Sequence, residues 1–156
     1  MTDPSNPKVA VLETTMGTIS IELAADMPVT AGNFEKLVKQ GYYDGVIFHR
    51  VIDGFMVQGG DPKGTGCGGP GYSIPDEFTT KNRNNRGTIS MANAGPNTGG
   101  SQFFINLVNN NFLDDRHPVF GRVISGMEIV DSIAKVPKDM SDRPKTPVKI
   151  IKATIR

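Results

Sequence analysis

Short hydrophobic segments recur along the chain and are separated by turns rich in glycine and proline. In residues 18–23, isoleucine and leucine alternate with serine and glutamate, which is the period of a half-buried β-strand. The pattern predicts strands at 9–14, 18–23, 46–51, 55–58, 87–91, 103–107, 119–123 and 148–155.

Two other segments have apolar residues at the three- and four-residue spacing of an amphipathic helix. The first runs from Pro28 to Gly41, residue types that favour a helix start and a helix end. The second begins at Ser125 or Gly126 and ends before Pro137. The apolar stripes are Ala31, Phe34, Leu37 and Val38 in the first and Met127, Val130, Ile133 and Ala134 in the second. Many short strands with only two helices predict a mainly β protein, a closed antiparallel β-barrel with the helices over its ends.

Length and charge favour one soluble domain. The chain has 156 residues, with 17 basic and 16 acidic side chains, so no net field attracts nucleic acid or acidic lipid. We expect a short flexible N-terminal arm at 1–8 and a single domain at 9–156. The mildly basic segment 143–156 predicts a closing strand with a solvated edge rather than an anion-binding patch.

The cysteine content and the hydropathy indicate where the protein works. One cysteine cannot form an internal disulfide, which favours a reducing compartment. The polar residues 1–7 are not a signal peptide, and no segment is apolar enough to span a membrane. We therefore expect a cytoplasmic protein that is not bound to a membrane, with a monomer as the default state.

A predicted hairpin brings one cation next to an apolar surface. Asp53-Gly54 separates two apolar runs, which is a strong hairpin signal. If the chain folds back there, Arg50 returns close to Phe55 and Met56. Met56 and Gln58 are two residues apart on a strand and point to the same face. Such a site suits an apolar, uncharged ligand that is held and polarised but not cleaved.

Residues 87–113 contain no charged side chain and are rich in asparagine, glycine and serine. Small residues, neutral amides and aromatic rings are typical of a groove that binds an extended peptide. A polar loop between two core strands explains the same composition equally well.

Other chemistries are weakly supported. Residues 64–69 have a formal G-x-G-x-x-G pattern, but prolines and a glycine follow, so no helix can begin there to bind a nucleotide. Cys67 lies among glycines without an orienting partner and is expected to be a bystander thiol. Ser101 lacks the second glycine of a nucleophile elbow. Two histidines and one cysteine are too few for a zinc site, so we expect neither metal nor cofactor.

Both histidines have structural explanations. His49 lies at the end of a predicted strand and is expected to be buried, with its ring satisfied by the backbone. His117 lies beside Pro118, and the local sequence favours a turn histidine.

Several long motifs resemble one family, the cyclophilin-type peptidyl-prolyl cis-trans isomerases. They are Phe48-His49-Arg50, then Gly54-Phe55-Met56-Val57-Gln58-Gly59-Gly60-Asp61, Ser90-Met91-Ala92-Asn93-Ala94-Gly95-Pro96-Asn97-Thr98, Gly100-Ser101-Gln102-Phe103-Phe104-Ile105, and Leu113-Asp114 with His117 and Val119-Phe120-Gly121. The resemblance runs from about residue 9 to the C-terminus and implies an eight-stranded antiparallel barrel capped by two helices. It implies an enzyme that accelerates rotation of X-Pro peptide bonds and assists protein folding.

The resemblance also implies residue roles. Arg50 matches the family's catalytic arginine, and Phe55, Gln58 and His117 are grouped with it as catalytic residues. The implied substrate-binding residues are Met56, Ala92, Asn93, Gln102, Phe104, Phe112 and Leu113. The implied partners are proline-containing peptides and unfolded or partly folded proteins. A proline-peptide binding module or chaperone with incidental isomerase activity stays the alternative, although the intact arginine favours the enzyme.

The sequence departs from the best-known members at two places. Phe112 stands where many members have a tryptophan, so the indole N–H that helps to bind cyclosporin is absent, and weakened cyclosporin binding is expected. Residues 66–75 also differ from many eukaryotic members, and because they border the groove, selectivity beyond the proline is expected to differ.

Overall fold

A computed structural model describes residues 8–156, so the arm predicted at 1–8 lies outside the described residues except for Lys8. The elements follow the order that the sequence predicts. They are β1 (Val9–Thr14), β2 (Gly17–Leu23), α1 (Pro28–Lys39), β3 (Arg50–Ile52), β4 (Met56–Gly59), β5 (Thr88–Met91), β6 (Phe103–Asn106), a 3₁₀ turn (Asn111–Leu113), β7 (Val119–Ser125), α2 (Met127–Ala134) and β8 (Ile150–Ile155).

The strands form one antiparallel sheet in the order β3-β4-β6-β5-β7-β2-β1-β8. The sheet curls into a half-barrel, so the predicted closed barrel is wrong. Among residues 8–156 the end strands β3 and β8 form no ladder, and one isolated bridge, Ile47 to Lys149, joins the segments that precede them. The physical reason is that β3 has only three residues and its free edge is occupied by a turn. There Val51 N–H donates to the Asp142 carbonyl at 2.7 Å.

Strand register sorts the side chains into an inner and an outer row. Val51, Val57, Ile105 and Ile89 lie opposite one another on β3, β4, β6 and β5, and all four are fully buried in the core. The next residues along the same strands must face the other side of the sheet. This outer row consists of Arg50, Gln58, Phe104 and Ser90.

The two α-helices found among the described residues pack on the inner core through the predicted apolar stripes. On α1 the stripe residues Ala31, Phe34, Leu37 and Val38 are all buried. The Phe34 ring lies between 5.1 and 5.5 Å from the rings of Tyr43, Phe103 and Phe120. Because the helices cover only this inner side, the outer row on β3, β4 and β6 stays available for a binding site.

Candidate active site

A cavity of about 250 Å³ lies on the outer face of β3, β4 and β6. Its lining contains every predicted site residue except Gln102 and Phe112. The lining residues are Arg50, Phe55, Met56, Gln58, Ala92, Asn93, Phe104, Leu113 and His117. Met56 and Phe104 are buried but lie outside the main core cluster, so they form a separate apolar floor. The structure therefore brings together one guanidinium, an apolar pocket and several neutral amides.

Arg50 lies at the edge of this cavity, and residues 8–156 leave most of its guanidinium donors free. The turn at Asp53-Gly54 is closed by Phe55 N–H donating to the Ile52 carbonyl at 3.0 Å, and Gly54 has the positive φ of 78° that glycine tolerates. This hairpin places Arg50 directly opposite Gln58. Arg50 Nη1 donates to Gln58 Oε1 at 3.5 Å, and within residues 8–156 it has no other hydrogen bond or ion pair. A guanidinium has five N–H donors, so several are available to a ligand.

Gln58 is held in turn by Gln102. Gln58 Nε2 donates to Gln102 Oε1 at 3.0 Å. Gln102 Nε2 donates to the carbonyls of Gly66 and Gly68, both at 3.0 Å. The glycine-rich loop thus contacts Arg50 through two glutamine side chains. Gln102 lies beside the proposed pocket as a support for Gln58 and lines an adjoining larger cavity of about 680 Å³.

Asp61 organises the glycine-rich loop from inside. The carboxylate is fully buried and accepts hydrogen bonds from the N–H groups of Lys63, Thr65 and Gly66 at 2.7 to 2.9 Å. A Cβ on Gly68 would overlap Asp61 Oδ1, so this position needs glycine for close approach. Burial raises the pKa of Asp61, but the N–H groups of Lys63, Gly68, Gly66 and Thr65 outweigh it and lower the pKa from 3.8 to about 2.

His117 forms the opposite rim of the cavity. Its Nδ1 lies 3.0 Å from the Met91 carbonyl, which can only accept, so Nδ1 carries the proton and donates. The ring stands edge-on to Phe104, with centroids 5.2 Å apart. These two contacts fix the orientation of the ring and indicate a rim residue that packs on the cavity wall. His117 lies in a bend after a turn, in keeping with the local expectation, and its side chain also lines the cavity.

A buried asparagine network supports the cavity wall from below. Asn110 Nδ2 donates to the Phe55 carbonyl and to Asn106 Oδ1, both at 2.9 Å. Asn84 N–H donates to Asp114 Oδ1 at 2.6 Å, which ties the loop that carries Leu113 to the segment before β5. The uncharged run 87–113 thus supplies groove residues on one side and a buried polar network on the other.

Phe112 does not line the cavity. Its side chain is 71% exposed, and its ring stacks on Phe55 with centroids 6.0 Å apart and an interplanar angle of 22°. Phe112 therefore covers the outer side of a pocket residue and adds apolar surface at the groove entrance.

Cys67 and His49 lie outside this site and differ in their exposure to solvent. Cys67 is exposed. His49 is buried as expected, but its Nδ1 has no hydrogen-bond partner in the part of the chain that the structure describes, so the prediction that the backbone satisfies the ring is wrong for this atom. Burial lowers the pKa of His49, and Arg143 and Arg50 lower it further against the opposing effect of Asp61.

Residues 8–156 contain neither a metal-binding cluster nor a membrane-spanning helix. Three or more His, Cys, Asp or Glu side chains do not come together there in a way that could hold a metal ion. None of the helices in this part of the chain is long and apolar enough to cross a bilayer.

Sequence reasoning missed Asp61, Asn84 and Asn110 as supports of the site. Asp61 was visible only as the last residue of a motif, and no local pattern shows which N–H groups converge on it. The asparagines had one signal, their concentration in a segment without charges.

Comparison with known proteins identifies the family. Residues 9–155 match the family described as "Cyclophilin type peptidyl-prolyl cis-trans isomerase/CLD". Peptidyl-prolyl cis-trans isomerase-like 1 of Neurospora crassa is 50% identical over 149 residues, which cover 92% of this chain and 91% of that protein. Peptidyl-prolyl cis-trans isomerase ppi1 of Schizosaccharomyces pombe is 51% identical over 147 residues, which cover 91% of this chain and 95% of that protein.

Solved structures agree with this family assignment. A cyclophilin-type peptidyl-prolyl cis-trans isomerase of Cryptosporidium parvum shares the fold with a TM-score of 0.93 at 36% identity, covering 96% of this chain and 98% of that one. A second crystal structure of that protein, in the presence of the dipeptide Ala-Pro, has a TM-score of 0.91 at 37% identity. It covers 95% of this chain and 98% of that one. The match over nearly the whole chain and the cavity built around Arg50 lead to one conclusion: the chain belongs to the cyclophilin-type peptidyl-prolyl cis-trans isomerases, and its reaction is the rotation of X-Pro peptide bonds.

Proposed function

We propose that Arg50 is the catalytic residue, and that the substrates are extended, proline-containing segments of unfolded or partly folded cytoplasmic proteins whose folding the enzyme assists. The observation that carries the proposal is a guanidinium at the edge of an apolar cavity of about 250 Å³, with donors that no residue of 8–156 other than Gln58 occupies. The single cysteine supports the cytoplasmic assignment, because a reducing compartment suits a chain without an internal disulfide.

The chemistry needs a donor that prefers the twisted amide. Rotation about a peptide bond meets a barrier of about 18–20 kcal/mol, because twisting removes amide resonance. As an X-Pro bond twists, the prolyl nitrogen becomes pyramidal and gains lone-pair density. A guanidinium that donates to this nitrogen binds the twisted state better than either planar isomer and so lowers the barrier.

The cavity supplies the rest of the preference for the twisted state over the planar isomers. Met56, Phe104 and Leu113 clamp the proline ring, while the preceding carbonyl is free to turn. The apolar walls also remove water from the substrate. Water favours the charge-separated planar amide, so its removal favours the twisted state. A thousandfold acceleration needs about 4 kcal/mol, which a charge-assisted hydrogen bond in a dry pocket together with ring restriction can provide.

The groove beside the pocket supports a peptide substrate. Gln58, Ala92 and Asn93 line both the pocket and the cavity of about 680 Å³, so the two spaces adjoin along these three residues. The related C. parvum protein crystallised in the presence of Ala-Pro supports a proline-containing ligand for this chain as well. The smaller pocket takes the proline ring, and the larger space takes residues of the same peptide.

NMR exchange spectroscopy on a short X-Pro peptide tests the proposal. The wild-type protein should accelerate cis-trans exchange, and Arg50→Ala should reduce kcat/KM by about 10- to 100-fold, the value of one charge-assisted hydrogen bond. Arg122→Ala is the matched control, because Arg122 is an exposed arginine on β7 that pairs with Glu22 outside this cavity. Peptide binding without faster exchange would instead favour the binding module or chaperone.

A further inference from the structure

A second cavity, of about 270 Å³, lies beside Arg50, and the isomerisation mechanism does not use it. We call it the Arg143 cavity. It is lined by His49, Arg50, Gln58, Thr65, Gly66, Ser141 and Arg143. Arg50 and Gln58 also line the proline pocket, so the two cavities share one wall.

The Arg143 cavity is electropositive. Neither Arg50 nor Arg143 forms an ion pair with any carboxylate of residues 8–156, and Arg143 Nη2 donates to the Gly64 carbonyl. No carboxylate of residues 8–156 lines the cavity. Asp61 is fully buried under its own N–H donors, and Asp139 Oδ1 accepts the backbone N–H groups of Ser141 and Arg143 at 2.8 and 3.2 Å.

The position of Arg143 is fixed by a short turn. Asp139 N–H donates to the Arg143 carbonyl at 2.9 Å, and Asp142 N–H donates to the Asp139 carbonyl at 3.1 Å. The Asp142 carbonyl accepts the N–H of Val51, the residue next to Arg50 on β3, at 2.7 Å. The turn that covers the open edge of the sheet therefore holds Arg143 at a defined place relative to Arg50.

The other wall residues suit an anion. Ser141 brings a hydroxyl group that can donate, whereas the Thr65 hydroxyl already donates to Asp61 Oδ2 at 3.2 Å. His49 is buried, and burial together with Arg143 and Arg50 lowers its pKa against the opposing effect of Asp61, so it forms an uncharged part of the wall. Two guanidinium groups without an ion-pair partner among residues 8–156 and one donor hydroxyl around one space are typical of a site for a carboxylate or a phosphate.

We infer that the Arg143 cavity is a specificity subsite for an anionic side chain, a carboxylate or a phosphate, near the proline of the bound peptide. The inference rests on the proposed function, because the shared wall at Arg50 and Gln58 places both groups on one peptide. Arg143 contacts the anion and Arg50 completes the site from the pocket side. Arg143 lies before β8, so the predicted closing strand with a solvated edge does not describe this residue.

The test is a peptide series with one central X-Pro bond. Glutamate, phosphoserine or neutral glutamine is placed in turn at each of the three positions on either side of that dipeptide. NMR titration gives Kd and exchange spectroscopy gives turnover for each peptide. At one or two positions glutamate or phosphoserine should bind about three- to fivefold tighter than glutamine, the range of one partly exposed ion pair. The glutamate and phosphoserine arms show which anion the site prefers.

Variants assign the preference to Arg143. Arg143→Gln should reduce the anion-to-glutamine affinity ratio to about one, and Arg143→Lys should keep a ratio above one, because the charge is retained. Arg122→Gln is the control and should leave the ratio at the wild-type value. Adding salt to 1 M should also remove the preference, since the Debye length falls to about 3 Å.

Two negative results have different meanings. If no position prefers an anion while the glutamine peptides are isomerised, the subsite is wrong and the proposed function stands. If the glutamine peptides are not isomerised, the proposed function itself fails. A preference that Arg143→Gln leaves intact also overturns the assignment, and should that variant not fold, the wild-type salt dependence decides.

Discussion

Gln58 Nε2 donates to Gln102 Oε1 at 3.0 Å, and this contact joins Arg50 to the glycine-rich loop. Arg50 touches Gln58 on the opposite strand, and Gln102 is fixed by the carbonyls of Gly66 and Gly68. The loop conformation therefore sets the position of a guanidinium that belongs to another part of the sheet. A pocket with the right residues but a displaced loop would have a poorly aimed arginine.

Gln102→Glu should lower kcat/KM for an X-Pro peptide by about tenfold, the equivalent of two hydrogen bonds of about 0.7 kcal/mol each. A glutamate keeps an acceptor for Gln58 but turns the donors facing the glycine carbonyls into acceptors, so the loop is repelled. NMR exchange measures the rate. Gln40→Glu is the control, because it makes the same charge change on an exposed residue at the end of α1. Wild-type kcat/KM in Gln102→Glu would show that the loop does not position Arg50.

Asp61 should make stability depend on acidity. The pKa of Asp61 is about 2 in the folded protein, against an ordinary value of 3.8. The carboxylate therefore stabilises the fold fully above about pH 4. As the pH falls through about 2 this contribution, about 2 kcal/mol, is lost. Urea unfolding at several pH values measures it.

The Asp61→Asn variant isolates that contribution. It should be about 2 kcal/mol less stable than wild type at pH 7, because an amide cannot accept all the loop N–H groups. The difference should shrink between about pH 4 and pH 2, where the wild-type carboxylate becomes protonated. Asp139→Asn, on the exposed turn, provides the comparison. A difference that is independent of pH would contradict the role of the charged form.

The predictable part of the site depends on local rules. The Asp53-Gly54 turn and the alternation along 55–58 were sufficient to place Arg50 near Met56 and Gln58 on one outer surface. Turn residues fix the hairpin register, and register fixes which side chains face outward. The long motifs that resemble the family then indicated the family and the roles of His117 and other distant residues. Local sequence rules alone did not assign these roles.

The remainder depends on contacts between distant segments. Closure of the barrel failed because the 139–143 turn occupies the edge of β3, a competition that strand patterns do not reveal. Likewise, nothing around Asp61 shows that the following loop will fold its N–H groups inward. The exposed position of Phe112 depends on how the 3₁₀ turn at 111–113 lies on Phe55.

Asn110 is expected to be a structural support of the pocket wall. Asn110→Ala leaves the buried Asn106 Oδ1 without its donor and removes one of the two donors to the Phe55 carbonyl, which keeps the Leu107 N–H at 2.9 Å. These losses should cost about 2 kcal/mol of unfolding free energy. Asn109→Ala, at the exposed neighbouring position, should cost less than about 1 kcal/mol. Urea unfolding compares the two variants. Equal losses of unfolding free energy in the two variants would show that the buried network does not support the pocket wall.

Phe112→Trp should restore a donor for cyclosporin. Phe112 is 71% exposed and stacks on Phe55, so a larger indole fits without repacking the core. One added N–H hydrogen bond should lower the cyclosporin Kd up to about tenfold, and peptide turnover should change less than about twofold because the pocket lining is untouched. Calorimetry measures Kd, and NMR exchange measures turnover. Phe78→Trp is the control, because Phe78 is an exposed phenylalanine that lines neither the pocket nor the groove. An equal gain in both variants, or no gain in Phe112→Trp, would mean that the indole N–H at this position does not determine cyclosporin affinity.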